Sequence, residues 1–189
     1  MYHLFSFNGE IPWDSVPVMK TTEYPFTKGA YKPLAMGSMC HTDDGIAVRF
    51  QSFSLPTDEN VQAHNKIAVC IGKEGNGLSV TCTQSGVISV TEYRENAALL
   101  RLTHLPEGAV RWFEASDNIG LFWGCEFLIP AELIRENTGL DVACDETFAC
   151  NMITYNDLDE YFHFGCVYAN AANDPSVFYL PDEETAKIL

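Results

Sequence analysis

The stretch at residues 121–134, LFWGCEFLIPAELI, decides the fold. It is an apolar run interrupted by one carboxylate, Glu126, and closed by a proline that opens a short helical pattern. Side chains alternate across a strand, so Leu121, Trp123, Cys125, Phe127 and Ile129 share one face. Phe122, Gly124, Glu126 and Leu128 share the other. A strand with one apolar and one mixed face belongs to a sheet covered on one side and partly open on the other. Trp123 is therefore expected in the core. Glu126 is expected on the open face, either solvated beside an arginine or serving as an acceptor toward a ligand.

Working outward, the same pattern recurs. LAMGSMCHT, GIAVRFQSF, KIAVCIG, GLSVTCT, VISVTEY, ALLRLTHL, AVRWFEAS, FACNMITY and YFHFGCVYA are short and rich in β-branched and aromatic residues. DDG, GKEGNG, QSG, LPEG and SDNIG punctuate them, and KEGNG suits a hairpin because Asn and Gly tolerate positive φ. In the second strand Ile46, Val48 and Phe50 alternate with Ala47, Arg49 and Gln51. So many strands without alternating helices imply an all-β fold, an antiparallel β-sandwich or an open barrel; the expected form is the sandwich, jelly-roll-like, with one or two short helices. One helix is PAELIREN, with Pro130 in its first turn and Gly139 past its end; a second, DEETAKIL, closes the chain. Residues 1–189 form one domain, and residues 1–30, with Pro12, Pro17 and Pro25, form an irregular arm over it.

Composition narrows the function. The 189 residues carry 26 acidic against 11 basic groups, a net charge of -15. Nucleic acid and anionic membranes both require clustered Lys and Arg, so neither is an expected partner. A neutral or cationic ligand remains compatible. The N-terminus, MYHLFSFNGEIPW, has no basic n-region, apolar h-region or cleavage site, so a cytoplasmic setting is the expectation for the chain as given, with a trimmed export signal as the alternative. Seven cysteines, an odd count without a CxxC pair, read as free thiols in a reduced setting and not as a zinc site.

Trp123, Glu126, Phe127, Leu128, Ile129 and Pro130, followed by AELI, resemble the late strand of the family-nine carbohydrate-binding modules and their DOMON-like β-sandwich relatives. An early IPW, a YKP, the hairpin GSMCHTDDGIAVRFQSF and a late HFG at His163–Gly165 stand in compatible order, from about Trp13 to Tyr179. The resemblance implies a non-catalytic carbohydrate-binding module. Two features depart from it. HNKIAVCIG lacks the D-x-x-x-E carboxylates that such relatives carry there, and no tryptophan follows Trp123 to clamp a sugar, so Tyr168, Phe178 or Tyr179 would take that place. The alternative function is a β-sandwich interaction or structural domain without a sugar site. The oligomeric state has no signature in the sequence.

A sugar site needs a flat aromatic for the ring face and planar polar groups for hydroxyls. Arg94, Arg111, Trp112, Glu126, Tyr168 and Tyr179 are the candidate ligand-binding residues, with Asn170, Asn173 and Phe178 in the same late loop. An open groove would favour sugar binding, and a flat apolar patch the interaction domain. Glycoside hydrolysis needs two carboxylates about 5 to 10 Å apart, whereas the acidic residues here cluster in turns, so no catalytic residue is assigned. No cofactor is expected beyond a structural calcium, for which Asp43, Asp44, Asp58 and Glu59 could supply oxygens.

Overall fold

Alternating side chains build two facing sheets. The computed structural model describes residues 1–54, 58–94, 97–103, 105, 110–116, 118, 120–170, 175 and 179–189. The first sheet has five strands in the order β2 (Met19–Lys20), β3 (Ala35–Thr42), β4 (Gly45–Ser52), β10 (Leu121–Pro130) and β9 (Val110–Ser116). The second runs β1 (Tyr2–Leu4), β13 (Ala186–Ile188), β11 (Thr147–Asn156), β5 (Lys66–Lys73), β6 (Asn76–Thr83), β7 (Ile88–Arg94) and β8 (Ala97–Thr103), with β12 (His163–Cys166) also paired to β11. Pairing is antiparallel throughout except between β1 and β13. The chain is thus the antiparallel β-sandwich that its alternation predicts.

The main core lies between the sheets. Ile46, Val48 and Phe50 of β4 and Trp123, Cys125, Phe127 and Ile129 of β10 meet Ile67, Val69 and Ile71 of β5 and Leu78 and Val80 of β6. Each fully buried large side chain contributes roughly 1.5–3 kcal/mol. Two smaller clusters sit on the outer faces. Val16, Cys40 and Ala47, with Trp13, Ile11, Phe7 and Leu128 against them, cover one end of the five-stranded sheet. Phe164, Tyr179, Ile153 and Cys70, with Phe26, cover the other sheet. The N-terminal segment therefore straps both faces, and it also contributes β1 and β2.

Helix α2 (Ala131–Thr138) packs against β4, β5, β6, β7 and β10 and closes one end of the sandwich. It has no side-chain N-cap; the Ala131 N–H donates instead to the Asp44 carbonyl at 2.9 Å. Gly139, at φ 73°, terminates it in the left-handed conformation. A second helix among the described residues is α1 (Glu59–His64), capped by Asp58, whose carboxylate accepts the Val61 N–H at 3.0 Å.

Two local expectations are corrected. The tail expected as a helix is strand β13: Ala186 and Ile188 are fully buried, and the ladders to β1 and β11 outweigh local helix propensity. In GKEGNG the positive φ values fall on Glu74 (52°) and Gly75 (80°), which places Asn76 and Gly77 inside β6. Gly77 there faces Gly72, where a Cβ would strike the Leu180 side chain.

All seven cysteines are free; Cys144 is exposed and the other six are buried. Burial pushes the Cys70, Cys150 and Cys166 thiols up to about 12. His163 is fully buried on β12. Its Nδ1 lies 3.0 Å from the Tyr161 carbonyl, which only accepts, so Nδ1 carries the proton and Nε2 accepts from the Thr154 hydroxyl at 3.3 Å. Burial lowers its pKa from 6.5 to about 4. The unfolded chain therefore takes up this proton first. The stability that His163 contributes is complete above pH 6.5 and is lost as the pH falls toward 4, on the order of 3 kcal/mol. Urea unfolding of the wild type and of His163→Gln across that window should show the variant with the flatter acid limb; parallel curves would contradict the assignment.

Candidate functional site

Register brings distant charges into one row. On the outer face of the five-stranded sheet Ser38 pairs with Arg49, Arg49 with Glu126, and Glu126 with Arg111. Glu126 thus stands between two guanidinium groups. Arg111 Nη2 donates to Glu126 Oε1 at 2.8 Å, and Arg49 Nε lies 3.3 Å from the same oxygen as an ion pair without hydrogen-bond geometry. Both contacts fall on Oε1, leaving Oε2 as an acceptor with no hydrogen-bond partner among the described residues. The Glu126 side chain is 16% exposed and that of Arg111 70%, so the carboxylate is sheltered while the Arg111 donors reach solvent. With one partner this exposed, the pair contributes little to stability, about 0–1 kcal/mol, and chiefly positions its members.

Aromatic rings frame the row. The Arg49 guanidinium lies 5.4 Å from the Phe113 ring centroid. Phe113 lies against the strand at Gly124, where a Cβ would come within 2.8 Å of the ring. On the opposite flank stands Trp13, in a single 3-10 turn (Trp13–Ser15) of the N-terminal segment, resting on the Cys40–Ala47 cluster. Trp13 is a wall shared by two cavities. One, of about 470 Å³, includes Ile11, Asp43, Arg111 and Glu126; the other, of about 300 Å³, includes Met36, Ser38, Arg49 and Gln51. A partly buried indole beside two guanidinium groups and a carboxylate matches the combination of apolar ring face and hydroxyl-bonding groups that a saccharide demands.

Of the six residues singled out from sequence, Arg111 and Glu126 meet here and four lie elsewhere. Arg94 donates to the carbonyls of Asn137 (2.8 Å) and Glu136 (2.6 Å), satisfying the last turn of α2. Trp112, opposite Cys125, points to the inner side of β9 and packs against the core margin. Tyr168 is half-buried, its backbone held by Asn151. Tyr179 is buried, and its hydroxyl closes a pair of 3.1 Å bonds with the Asn170 backbone. Asn173 and Phe178 lie outside the described residues. Arg49 and Trp13 are the members that sequence reading left out. Arg49 carried a signal, as the charged member of a half-buried strand, but only the β4–β10 register gives it Glu126 as a partner.

Among the described residues no group of three or more His, Cys, Asp or Glu side chains converges as a metal site. Of the four carboxylates considered for calcium, Asp43 and Asp44 line the larger cavity and Asp58 caps α1.

By sequence the chain matches no protein-family profile and no curated protein. By structure it resembles carbohydrate-binding proteins. A candidate carbohydrate-binding protein from Bacteroides uniformis, 13% identical, aligns over 100% of this chain and 99% of its own with a TM-score of 0.70. A family-nine carbohydrate-binding module from Caldicellulosiruptor kristjanssonii aligns in two structures. The complex with cellotriose has a TM-score of 0.56 at 8% identity and covers 98% of this chain and 93% of that one; the complex with glucose has 0.58 at 7%, covering 99% and 95%. The chain therefore shares the β-sandwich fold found in carbohydrate-binding modules.

Proposed function

We propose that the protein is a non-catalytic carbohydrate-binding module that takes a neutral sugar on the outer face of its five-stranded sheet. The observation that carries this reading is the convergence of Arg49 and Arg111 on Glu126 beside the wall of Trp13. Trp13 would stack on the apolar face of the ring, and Glu126 Oε2 and the free Arg111 donors would bond its hydroxyls. A finer assignment to the family-nine, DOMON-like group belongs to the same proposal, supported by the order of elements and by the Trp-Glu-Ile-Pro strand. Glucose and cellotriose are the first ligands to try, because the similar module carries them.

A thermal-shift series with these sugars, with and without calcium and with chelator, tests the reading. A sugar with a millimolar dissociation constant at about 20-fold excess adds roughly 1.8 kcal/mol, on the order of 4–7 °C for this size. Arg111→Ala, at an exposed position, should abolish the shift while moving the unliganded midpoint by no more than about 4 °C, as expected for an ion pair contributing about 0–1 kcal/mol. No shift with any sugar class would sink the proposal. A shift that survives Arg111→Ala and Trp13→Ala would move the site elsewhere.

A further inference from the structure

We propose a second binding site at the end of the sandwich opposite α2, selective for the acetamido group of an N-acetylated sugar. It lies at the start of β10, where two adjoining cavities of about 370 and 80 Å³ share Gln84, Glu114 and Trp123. Trp112 and Phe113 line the larger cavity and Phe122 the smaller.

Buried amides set the orientation of Gln84. The Leu158 N–H, a donor by necessity, bonds Asn156 at 2.9 Å, so the atom it meets is Oδ1. Asn156 must then donate through Nδ2, and it does so to Asn65 Oδ1 at 2.6 Å. Asn65 in turn donates through Nδ2 to Gln84 Oε1 at 2.8 Å, and its carbonyl accepts the Gln84 backbone N–H at 2.9 Å. Asn156 is 0% and Asn65 3% exposed, so this relay is shielded from water and each link fixes the next. Gln84 therefore turns its Oε1 toward Asn65 and presents its Nε2 hydrogens to the cavity that it lines.

The rest of the cavity supplies the complement. Glu114, opposite Trp123 across the β9–β10 ladder, is exposed and acts only as an acceptor. One fixed donor, one acceptor and an indole wall suit a group that has a carbonyl, an N–H and a methyl in one plane. The acetamido carbonyl takes the Gln84 amide hydrogen, its N–H bonds the Glu114 carboxylate, and its methyl rests on Trp112. An acidic sugar is disfavoured by Glu114 and by the net charge of -15. A peptide amide shares this chemistry, so the test separates the two sources.

The experiment is an NMR titration of the full chain, following the Gln84 side-chain amide and the Trp112 indole, with N-acetylglucosamine, glucose, glucosamine and N-acetylglycinamide. N-acetylglucosamine is expected to shift both resonances, glucose and glucosamine to leave them in place, and N-acetylglycinamide, which carries the same acetamido group without a sugar ring, to shift them only at higher concentration. Gln84→Met and Glu114→Ala should each weaken binding at least ten-fold, as expected for one lost hydrogen bond to a fixed or charged group. Should Gln84→Met misfold, the exposed Glu114→Ala decides alone. Equal shifts with glucose, tighter binding of N-acetylglycinamide, unchanged affinity in Glu114→Ala, or no shift up to the solubility of N-acetylglucosamine would each overturn the proposal. None of these outcomes bears on the Arg49–Glu126–Arg111 face.

Discussion

Gly45→Val is expected to cost about 4 kcal/mol or more and to lower the melting midpoint by about 10 °C. Two causes act together. Gly45 has φ 146°, a region that side chains with a Cβ rarely enter and a β-branched residue effectively cannot. A Cβ there would also overlap the Ile129 carbonyl oxygen and sit 2.7 Å from the Ala131 nitrogen. Those atoms are backbone, so no rotamer change relieves the clash. The neighbouring bond from Ala131 N–H to the Asp44 carbonyl, which starts α2, would break as the turn moved away. Calorimetry of Gly45→Ala and Gly45→Val should show graded losses. A valine variant melting with the wild type would mean that the turn does not press on the strand–helix junction.

Asn151→Leu is expected to cost about 3–5 kcal/mol although leucine has the same number and branching of side-chain heavy atoms. Asn151 is fully buried on β11; its Nδ2 donates to the Tyr168 and Tyr179 carbonyls, each at 2.7 Å, and its Oδ1 accepts the Tyr168 N–H at 3.1 Å and the Val167 N–H at 3.2 Å. Val167 keeps a second partner in the Met152 carbonyl, so leucine strands three backbone groups. Each orphaned group costs about 1–3 kcal/mol, less where water enters. Urea unfolding reads the global loss. Hydrogen exchange of residues 167–170 tells whether this segment detaches first. A change below about 1 kcal/mol would show that these carbonyls find other partners.

Asn151 also shows where sequence reading reaches its limit. Strand faces were legible because period two is local: Trp123 in the core and Glu126 on the outer face follow from six neighbouring residues. The role of Asn151 depends on segments far along the chain, and nothing in FACNMITY marks it. The same holds for the site. Arg111 and Glu126 were separately visible as outward residues, but their meeting with Arg49 depends on β4 and β9 flanking β10, a register that no single segment encodes. Arg94 misled because an arginine in a strand reads as free, whereas the end of α2 brings unsatisfied carbonyls to it. The tail misled in the opposite sense. DEETAKIL has helix-forming composition, yet the edges of β1 and β11 accept Ala186–Ile188 as a strand and bury two of its side chains. Trp13 stood in a proline-rich arm, and only the packing of that arm on Cys40 and Ala47 turns it into a wall.

The row Ser38, Arg49, Glu126 and Arg111 has one more property. Its members sit on four successive strands, and neighbouring strands lie about 4.8 Å apart. The row is thus a ruler laid across the face at right angles to the chain direction. Single substitutions along it step over the surface in equal increments. The profile of their effects on any bound molecule would therefore measure how wide a footprint that molecule leaves.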